Sequence, residues 1–186
     1  MERQLTYTRT AVALHWAAAL LIISALVLGW YVAGLPFSPR RLQWVMWHKW
    51  LGVVVLAVSG LRLTWRLLYP PPPLGEAASR MPAWQHGLHR GTHAMLYGLF
   101  FAVPISGWAY SSAAGFPVVV FGLIDLPDLL PADRSLASMV RHAHMVLAYT
   151  LAAFTALHIA AALKHHLVDR DGLLRRMAWS RGVPPR

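Results

Sequence analysis

Residues 10–35 of the chain read TAVALHWAAALLIISALVLGWYVAGL and contain no charged side chain. His15 is the one strongly polar group in this stretch. A helix needs about 20 consecutive apolar residues to cross the hydrocarbon core of a bilayer. The stretch satisfies that length and exceeds the ~7–15 apolar residues of a signal-peptide core. We therefore interpret it as a retained transmembrane helix.

Three further apolar stretches follow, separated by prolines that include a run of four at 70–73. Proline interrupts helices because it lacks a backbone N–H and clashes with the preceding turn. The sequence therefore predicts an all-α membrane protein that folds as a four-transmembrane-helix bundle. We predict one membrane domain over residues 1–186, with helices at about 10–34, 42–68, 86–111 and 138–166.

The composition agrees with a lipid environment. Hydrophobic residues make up 57% of the chain and charged residues 13%, about half the charged share of soluble domains. This small number of charged groups cannot cover a water-facing surface. Lipid is therefore the expected solvent for most of the chain. The absence of cysteine excludes disulfides, iron–sulfur clusters and covalently attached c-type haem.

The net charge of +10 does not indicate nucleic-acid binding, because the basic residues lie in short segments between apolar stretches and form no basic stripe. The N-terminus, residues 62–90 and the tail from Lys164 carry 12 of the 17 Lys and Arg residues. Residues 40–49 and 134–141 carry the other five. By the positive-inside rule, both termini are predicted to face the cytoplasm.

Histidines at membrane depth are costly and usually functional. His144 and His158 are 14 residues apart, close to four helical turns, so they share a face and lie ~21 Å apart along the axis. His15 lies early in the first helix, at the predicted level of His158. His48 lies early in the second helix, at the predicted level of His144. The sequence therefore predicts two histidine pairs, His15/His158 and His48/His144, stacked across the membrane.

Two imidazoles that face each other in a bundle core are suited to be axial ligands of a haem iron. Zinc is less favoured, because its ligands cluster in one site and commonly include thiolates or a carboxylate. For any single histidine, a hydrogen bond to the backbone of a neighbouring helix is the alternative. We predict two non-covalent b-type haems whose iron is bound by His15, His48, His144 and His158.

An ordered set of short motifs accompanies these histidines over residues 7–177. The motifs are Leu14-His15-Trp16, His48 with Gly52, Arg62-x-x-x-Arg66-x-x-Tyr69-Pro70, His93-x-x-x-Tyr97, Val103-Pro104-x-x-Gly107, and His144 with Leu157-His158-x-x-Ala161-Ala162-x-x-His165-His166. Taken together, the set resembles the bacterial cytochrome b561 family, whose relatives are membrane b-type cytochrome subunits of nickel–iron hydrogenases and formate dehydrogenases. The resemblance implies haem ligands on the first, second and fourth helices, a place in the bacterial inner membrane, and ubiquinone as a substrate.

The partner of His158 stays open from geometry alone. His86, His89 and His93 share one face of the third helix at its cytoplasmic end, so His93 is an alternative to His15. The family pattern favours His15 and leaves His93 for a haem propionate or a quinone. His165 lies seven residues after His158 on the same face and is a second candidate for such a contact. The sequence assigns no role to His86, His89, His142 and His166.

Two functions are compatible with the resemblance. Some family members are similar to superoxide:ubiquinone oxidoreductases, which predicts an enzyme that takes electrons from superoxide at the outer face. Outer-face arginines and Lys49 would steer a small anion, although three aspartates in the 117–137 connection oppose this. The alternative is a membrane anchor and b-type relay subunit for a separate dehydrogenase or a periplasmic redox protein. No catalytic residue is predicted for either function.

Overall fold

Four long helices form most of the protein, for which we use a computed structural model that describes residues 7–72 and 83–177. Each helix is long and apolar enough to cross a membrane. The helices are α1 (Arg9–Ala33), α2 (Pro39–Leu68), α3 (Ala83–Ala113) and α4 (Arg134–Lys164).

Polar caps extend α2 and α4 beyond their apolar cores. The Ser38 hydroxyl accepts a hydrogen bond from the backbone N–H of Arg41 at 3.2 Å, and Pro39 occupies the first helical position, which suits its missing N–H. The Asp133 carboxylate accepts from the N–H of Leu136 at 2.7 Å. Because these caps satisfy backbone donors that are otherwise unpaired, α2 starts three residues and α4 four residues before the positions we predicted.

Successive helices pack side by side, α1 on α2, α2 on α3 and α3 on α4. We call the end where α1 begins and α4 finishes the terminal end, and the opposite end the loop end. Outward-facing side chains are apolar; Leu20 is 69% exposed and Val27 57% exposed. Such surfaces are unfavourable in water and match lipid. The central core consists of Ala18, Ile22, Val55, Leu96, Leu99, Phe100 and Leu151.

A small β-hairpin, absent from our prediction, lies in the connection between α3 and α4. Strand β1 (Val119–Val120) pairs antiparallel with β2 (Ile124–Asp125). Three residues, Phe121, Gly122 and Leu123, connect the strands. The first two have φ angles of 52° and 73°, and positive φ at both central residues is typical of a type I′ turn. The indole N–H of Trp50 donates to the carbonyl of Val119 at 2.6 Å. This hydrogen bond fastens the hairpin to α2 at Trp50, two residues after His48 in the sequence.

The terminal end is closed by the segment that follows α4. A π-helical turn (His165–Asp169) and a 3₁₀ turn (Leu174–Met177) carry the chain back across the bundle. The indole N–H of Trp16 donates to the carbonyl of Met177 at 2.8 Å, and Arg176 donates to the carbonyl of Pro72 at 3.1 Å. These contacts join the last described residues to α1 and to the end of α2.

Candidate functional site

At the loop end, His48 of α2 faces His144 of α4. Their ring centroids are 6.4 Å apart, with 76° between the ring planes. The two rings come from helices that are separated in sequence by the whole of α3, so only the bundle brings them together. The structure thus brings together one of the two predicted histidine pairs.

Two glycines make room for this pair, and we did not single out either one as a site residue. A Cβ added to Gly29 of α1 would lie 3.0 Å from Cε1 of His48. A Cβ added to Gly107 of α3 would lie 3.0 Å from Cε1 of His144. Each imidazole therefore rests against the bare backbone of a neighbouring helix. Gly107 belongs to a motif noted above, whereas nothing in the sequence marks Gly29.

The backbone of α3 orients His144. Nδ1 of His144 lies 3.1 Å from the carbonyl oxygen of Val103 and 3.1 Å from the hydroxyl of Ser106. A carbonyl only accepts hydrogen bonds, so Nδ1 carries the proton and donates to Val103. Nε2 of His144 is then the unprotonated nitrogen. A histidine that binds metal through one nitrogen commonly donates from the other in this way.

At the terminal end, His15 of α1 faces His158 of α4 with nearly the same geometry. The ring centroids are 6.3 Å apart and the planes differ by 68°. A guanidinium nitrogen of Arg62 lies 2.9 Å from Nδ1 of His15. Because arginine is only a donor, Nδ1 of His15 accepts this hydrogen bond. The two pairs lie ~21 Å apart along α4, given 1.5 Å per residue over 14 residues.

His93 also approaches His158, as the sequence allowed. The centroid distance is 5.1 Å, with 90° between the planes. Nδ1 of His93 lies 2.8 Å from the carbonyl of His89, and the rings of His89 and His93 are 4.3 Å apart. The terminal end therefore contains a row of histidine rings beside the His15/His158 pair.

The other histidines differ in their surroundings. Nδ1 of His165 lies 2.6 Å from a carboxylate oxygen of Asp171 and 3.1 Å from one of Asp169. Together these three side chains could hold a metal ion, although the ammonium group of Lys164 already contacts Asp169 at 2.6 Å. His142 and His166 are exposed. Asp169 and Asp171 could not be identified as site residues from the sequence, because their approach to His165 depends on the turn after α4.

Comparison with known proteins gives consistent matches over nearly the full chain. A family model described as prokaryotic cytochrome b561 matches residues 6–180. The chain is 33% identical to cytochrome b561 homolog 2 of Escherichia coli (strain K12), covering 92% of this chain and 90% of that protein. It is 36% identical to the probable superoxide oxidase CybB of Yersinia pestis, and the match covers 95% of this chain and 98% of that protein. A second protein of Escherichia coli (strain K12), cytochrome b561 homolog 1, is 28% identical, and the match covers 92% of this chain and 96% of that protein.

Proposed function

Because the chain belongs to the prokaryotic cytochrome b561 family, we propose that it is a di-haem protein that exchanges electrons with membrane quinone. Family membership makes it a multi-pass electron-transfer protein of the bacterial inner membrane that binds b-type haem. The number of haems, their ligands, the quinone and the electron donor are the proposed part.

The geometry of the two histidine pairs carries the proposal. An imidazole nitrogen lies ~2 Å from a first-row metal ion, and the ring centroid lies about 1 Å further back. Two imidazoles on opposite sides of one iron therefore have centroids about 6 Å apart. The observed separations are 6.4 Å for His48/His144 and 6.3 Å for His15/His158. We therefore assign these four histidines as the axial ligands of two haems.

The same criterion favours His15 over His93 as the partner of His158. At 5.1 Å, the rings of His93 and His158 are about 1 Å too close for an iron between them. One feature favours His93: its Nδ1 faces the carbonyl of His89, so Nδ1 carries the proton and Nε2 is the unprotonated nitrogen of the neutral ring. We propose that His15 is the ligand and that His93 lies beside the haem edge, where a propionate or quinone contact is expected.

Arg62 has a role that follows from its contact with His15. Iron binding through Nε2 of a neutral His15 requires a proton on Nδ1, and Arg62 then needs another acceptor. A haem propionate is a suitable one, because guanidinium groups pair well with carboxylates. No salt bridge to Arg62 or Arg66 occurs within residues 7–72 and 83–177, and both guanidiniums lie over the ring of Tyr97. We propose that these arginines hold propionates at the terminal end.

Bound haem supplies one-electron chemistry, and the protein determines which molecules reach it. We propose that the terminal end faces the cytoplasm, in line with the distribution of Lys and Arg. At the loop end, a groove of about 470 Å³ opens between α3 and α4, and its lining includes Arg134 and Arg141. Asp133 lines it too, but its carboxylate caps α4. The basic side chains favour a small anion such as superoxide.

We therefore place superoxide:ubiquinone oxidoreduction first. The superoxide half is supported by the relative from Yersinia pestis named probable superoxide oxidase. Two superoxide anions, one quinone and two protons then give two molecules of dioxygen and one quinol. The second candidate is a relay subunit for a separate dehydrogenase or periplasmic redox protein. It is supported by the exposed apolar tip of the hairpin, where Leu123 is 85% exposed, which suits a protein or lipid contact.

A direct assay separates the two functions. Detergent-purified protein is supplied with enzymatically generated superoxide and a short-chain ubiquinone, and quinol formation is followed optically. We expect quinol to form in proportion to protein and to disappear when superoxide dismutase is added. The relay function predicts no protein-dependent quinol under these conditions, with haem reduction only when the partner dehydrogenase or redox protein is present.

Replacing Gly107 by alanine is expected to weaken haem binding at the loop end selectively. The new Cβ forces His144 to move, and overpacking of this kind costs about 1–3 kcal/mol, or about a fivefold to hundredfold loss of affinity. The matched control is Gly98→Ala on the same helix, where an added Cβ meets no atom within 4 Å. Haem titration of both variants measures the effect, and equal affinities would contradict the assignment of His144.

A further inference from the structure

The connection between α3 and α4 folds back along the side of the bundle. The indole N–H of Trp50 on α2 donates to the carbonyl of Val119 at 2.6 Å, and the indole N–H of Trp108 on α3 donates to the carbonyl of Pro127 at 3.1 Å. Trp50 follows Pro39, the first residue of α2, by 11 residues, or roughly 16 Å along the helix axis. The hairpin is therefore attached well below the loop-end tip of α2.

The tryptophans of α2 indicate where this attachment lies relative to a bilayer. Trp65 lies towards the terminal end of the helix, and Trp44, Trp47 and Trp50 lie towards the loop end. The two groups are ~22 to ~32 Å apart by helix rise, which brackets the ~30 Å thickness of the hydrocarbon core. Tryptophan is enriched at the two membrane–water interfaces. The loop-end boundary of the bilayer therefore lies at the level of Trp44 to Trp50, where the hairpin is attached.

The hairpin presents an apolar surface at this level. Residues 114–124 read AGFPVVVFGLI and contain no charged or hydrogen-bonding side chain. Val118 and Val120 are buried. The outward side chains are those of Phe121, Leu123 and Ile124, which are 57%, 85% and 61% exposed. The same short stretch therefore buries one set of apolar side chains and exposes another.

This surface suits the boundary of a bilayer better than either water or the hydrocarbon core. In water, clustered exposed apolar side chains are unfavourable. Within the hydrocarbon core, the unpaired backbone groups at the edges of a two-stranded hairpin are not tolerated. At the boundary, the side chains reach lipid while the backbone reaches water. A water-soluble partner protein would meet the part of α2 that projects beyond Trp50, so the depth of the hairpin favours lipid.

We propose that the hairpin is an interfacial anchor, with Phe121, Leu123 and Ile124 inserted among the phospholipids of the leaflet at the loop end. Amphipathic helices bind at the same boundary through apolar side chains buried where headgroups meet acyl chains. The anchor also fixes the depth of the loop-end histidine pair, because His48 precedes Trp50 by two residues, ~3 Å along α2. That pair is thereby held at the boundary, where reactants from water can approach it.

Spin labelling tests this placement, and the native chain suits it because it contains no cysteine. Holoprotein with Leu123→Cys is labelled with a nitroxide and reconstituted in nanodiscs of phosphatidylethanolamine and phosphatidylglycerol. Power saturation, with nitrogen as the baseline, compares collisions with dioxygen, which concentrates in lipid, and with a nickel chelate, which stays in water. We expect the label at 123 to collide mainly with dioxygen, as in the lipid reference Leu20→Cys on α1. The water reference is Arg40→Cys, at an exposed position on the part of α2 beyond Trp50.

Two results would overturn the proposal. One is a label at 123 that the nickel chelate reaches as readily as it reaches the label in Arg40→Cys. The other is a label that nickel reaches in nanodiscs and that is shielded only in native membranes, which would identify a protein partner.

A charge on the hairpin adds a second readout. Because a carboxylate is costly at membrane depth, adding Leu123→Asp is expected to make a label at Ile124→Cys more accessible to nickel. An unchanged label environment would show that the hydrogen bond from Trp50 alone positions the hairpin, which would contradict the anchor.

Discussion

Replacing His48 by alanine is expected to remove one of two haems and to leave the other in place. The loop-end and terminal-end pairs lie ~21 Å apart along α4, and the apolar core separates them. Loss of an axial ligand at one pair therefore leaves the other pair intact. A pyridine haemochrome assay on purified protein should give about one haem per chain for His48→Ala, against two for the native chain.

The matching variant at the terminal end is His158→Ala, which is expected to retain only the loop-end haem. Combining it with His48→Ala should give a protein without haem. The control is His142→Ala, since His142 is exposed and lies only two residues from His144. A haem content that stays at two in His48→Ala, or falls equally in His142→Ala, would contradict the assigned pairs.

The second prediction concerns which histidine shares an iron with His158. We expect His15→Ala to lose the terminal-end haem, as His158→Ala does, because the centroid separation of 6.3 Å suits one iron between the rings. We expect His93→Ala to keep both haems. Its effect should be confined to quinone-dependent oxidation, or to the potential of the terminal-end haem if His93 contacts a propionate.

Haem counts and low-temperature spectra of the two variants decide between the assignments. The reverse result, with one haem in His93→Ala and two in His15→Ala, would show that His93 is the ligand. In that case the contact between Arg62 and Nδ1 of His15 would be a structural hydrogen bond. Leu96→Ala, which truncates a core side chain on the same helix, controls for general destabilisation of α3.

The four helices could be predicted from the sequence, because the apolar stretches are long and prolines separate them. The first residue of α2 was harder to predict, because the cap formed by Ser38 and Pro39 lies outside the apolar pattern. The hairpin was missed for a different reason. Its strands contain only two residues each, and its turn places Phe121 at positive φ, where glycine or asparagine is the usual signal.

Which histidines face each other could also be predicted from the sequence, because helical rise and periodicity are regular enough to give depth and face over 14 residues. The residues that surround these histidines could not be predicted. The contact of Gly29 with His48 depends on how α1 is rotated against α2, and no spacing rule gives that rotation. The approach of Asp171 to His165 depends on a π-helical turn and a left-handed Arg170. Such features arise from local backbone geometry that apolar periodicity does not record.

The central claim is that four histidines hold two haems, and one measurement on the native chain tests it most directly. Protein is produced with ample haem supply, purified in detergent, and examined by a dithionite-reduced minus air-oxidised difference spectrum together with a pyridine haemochrome count. The account predicts a b-type spectrum and two haems per chain. A colourless protein, or a single haem per chain under saturating supply, would contradict it.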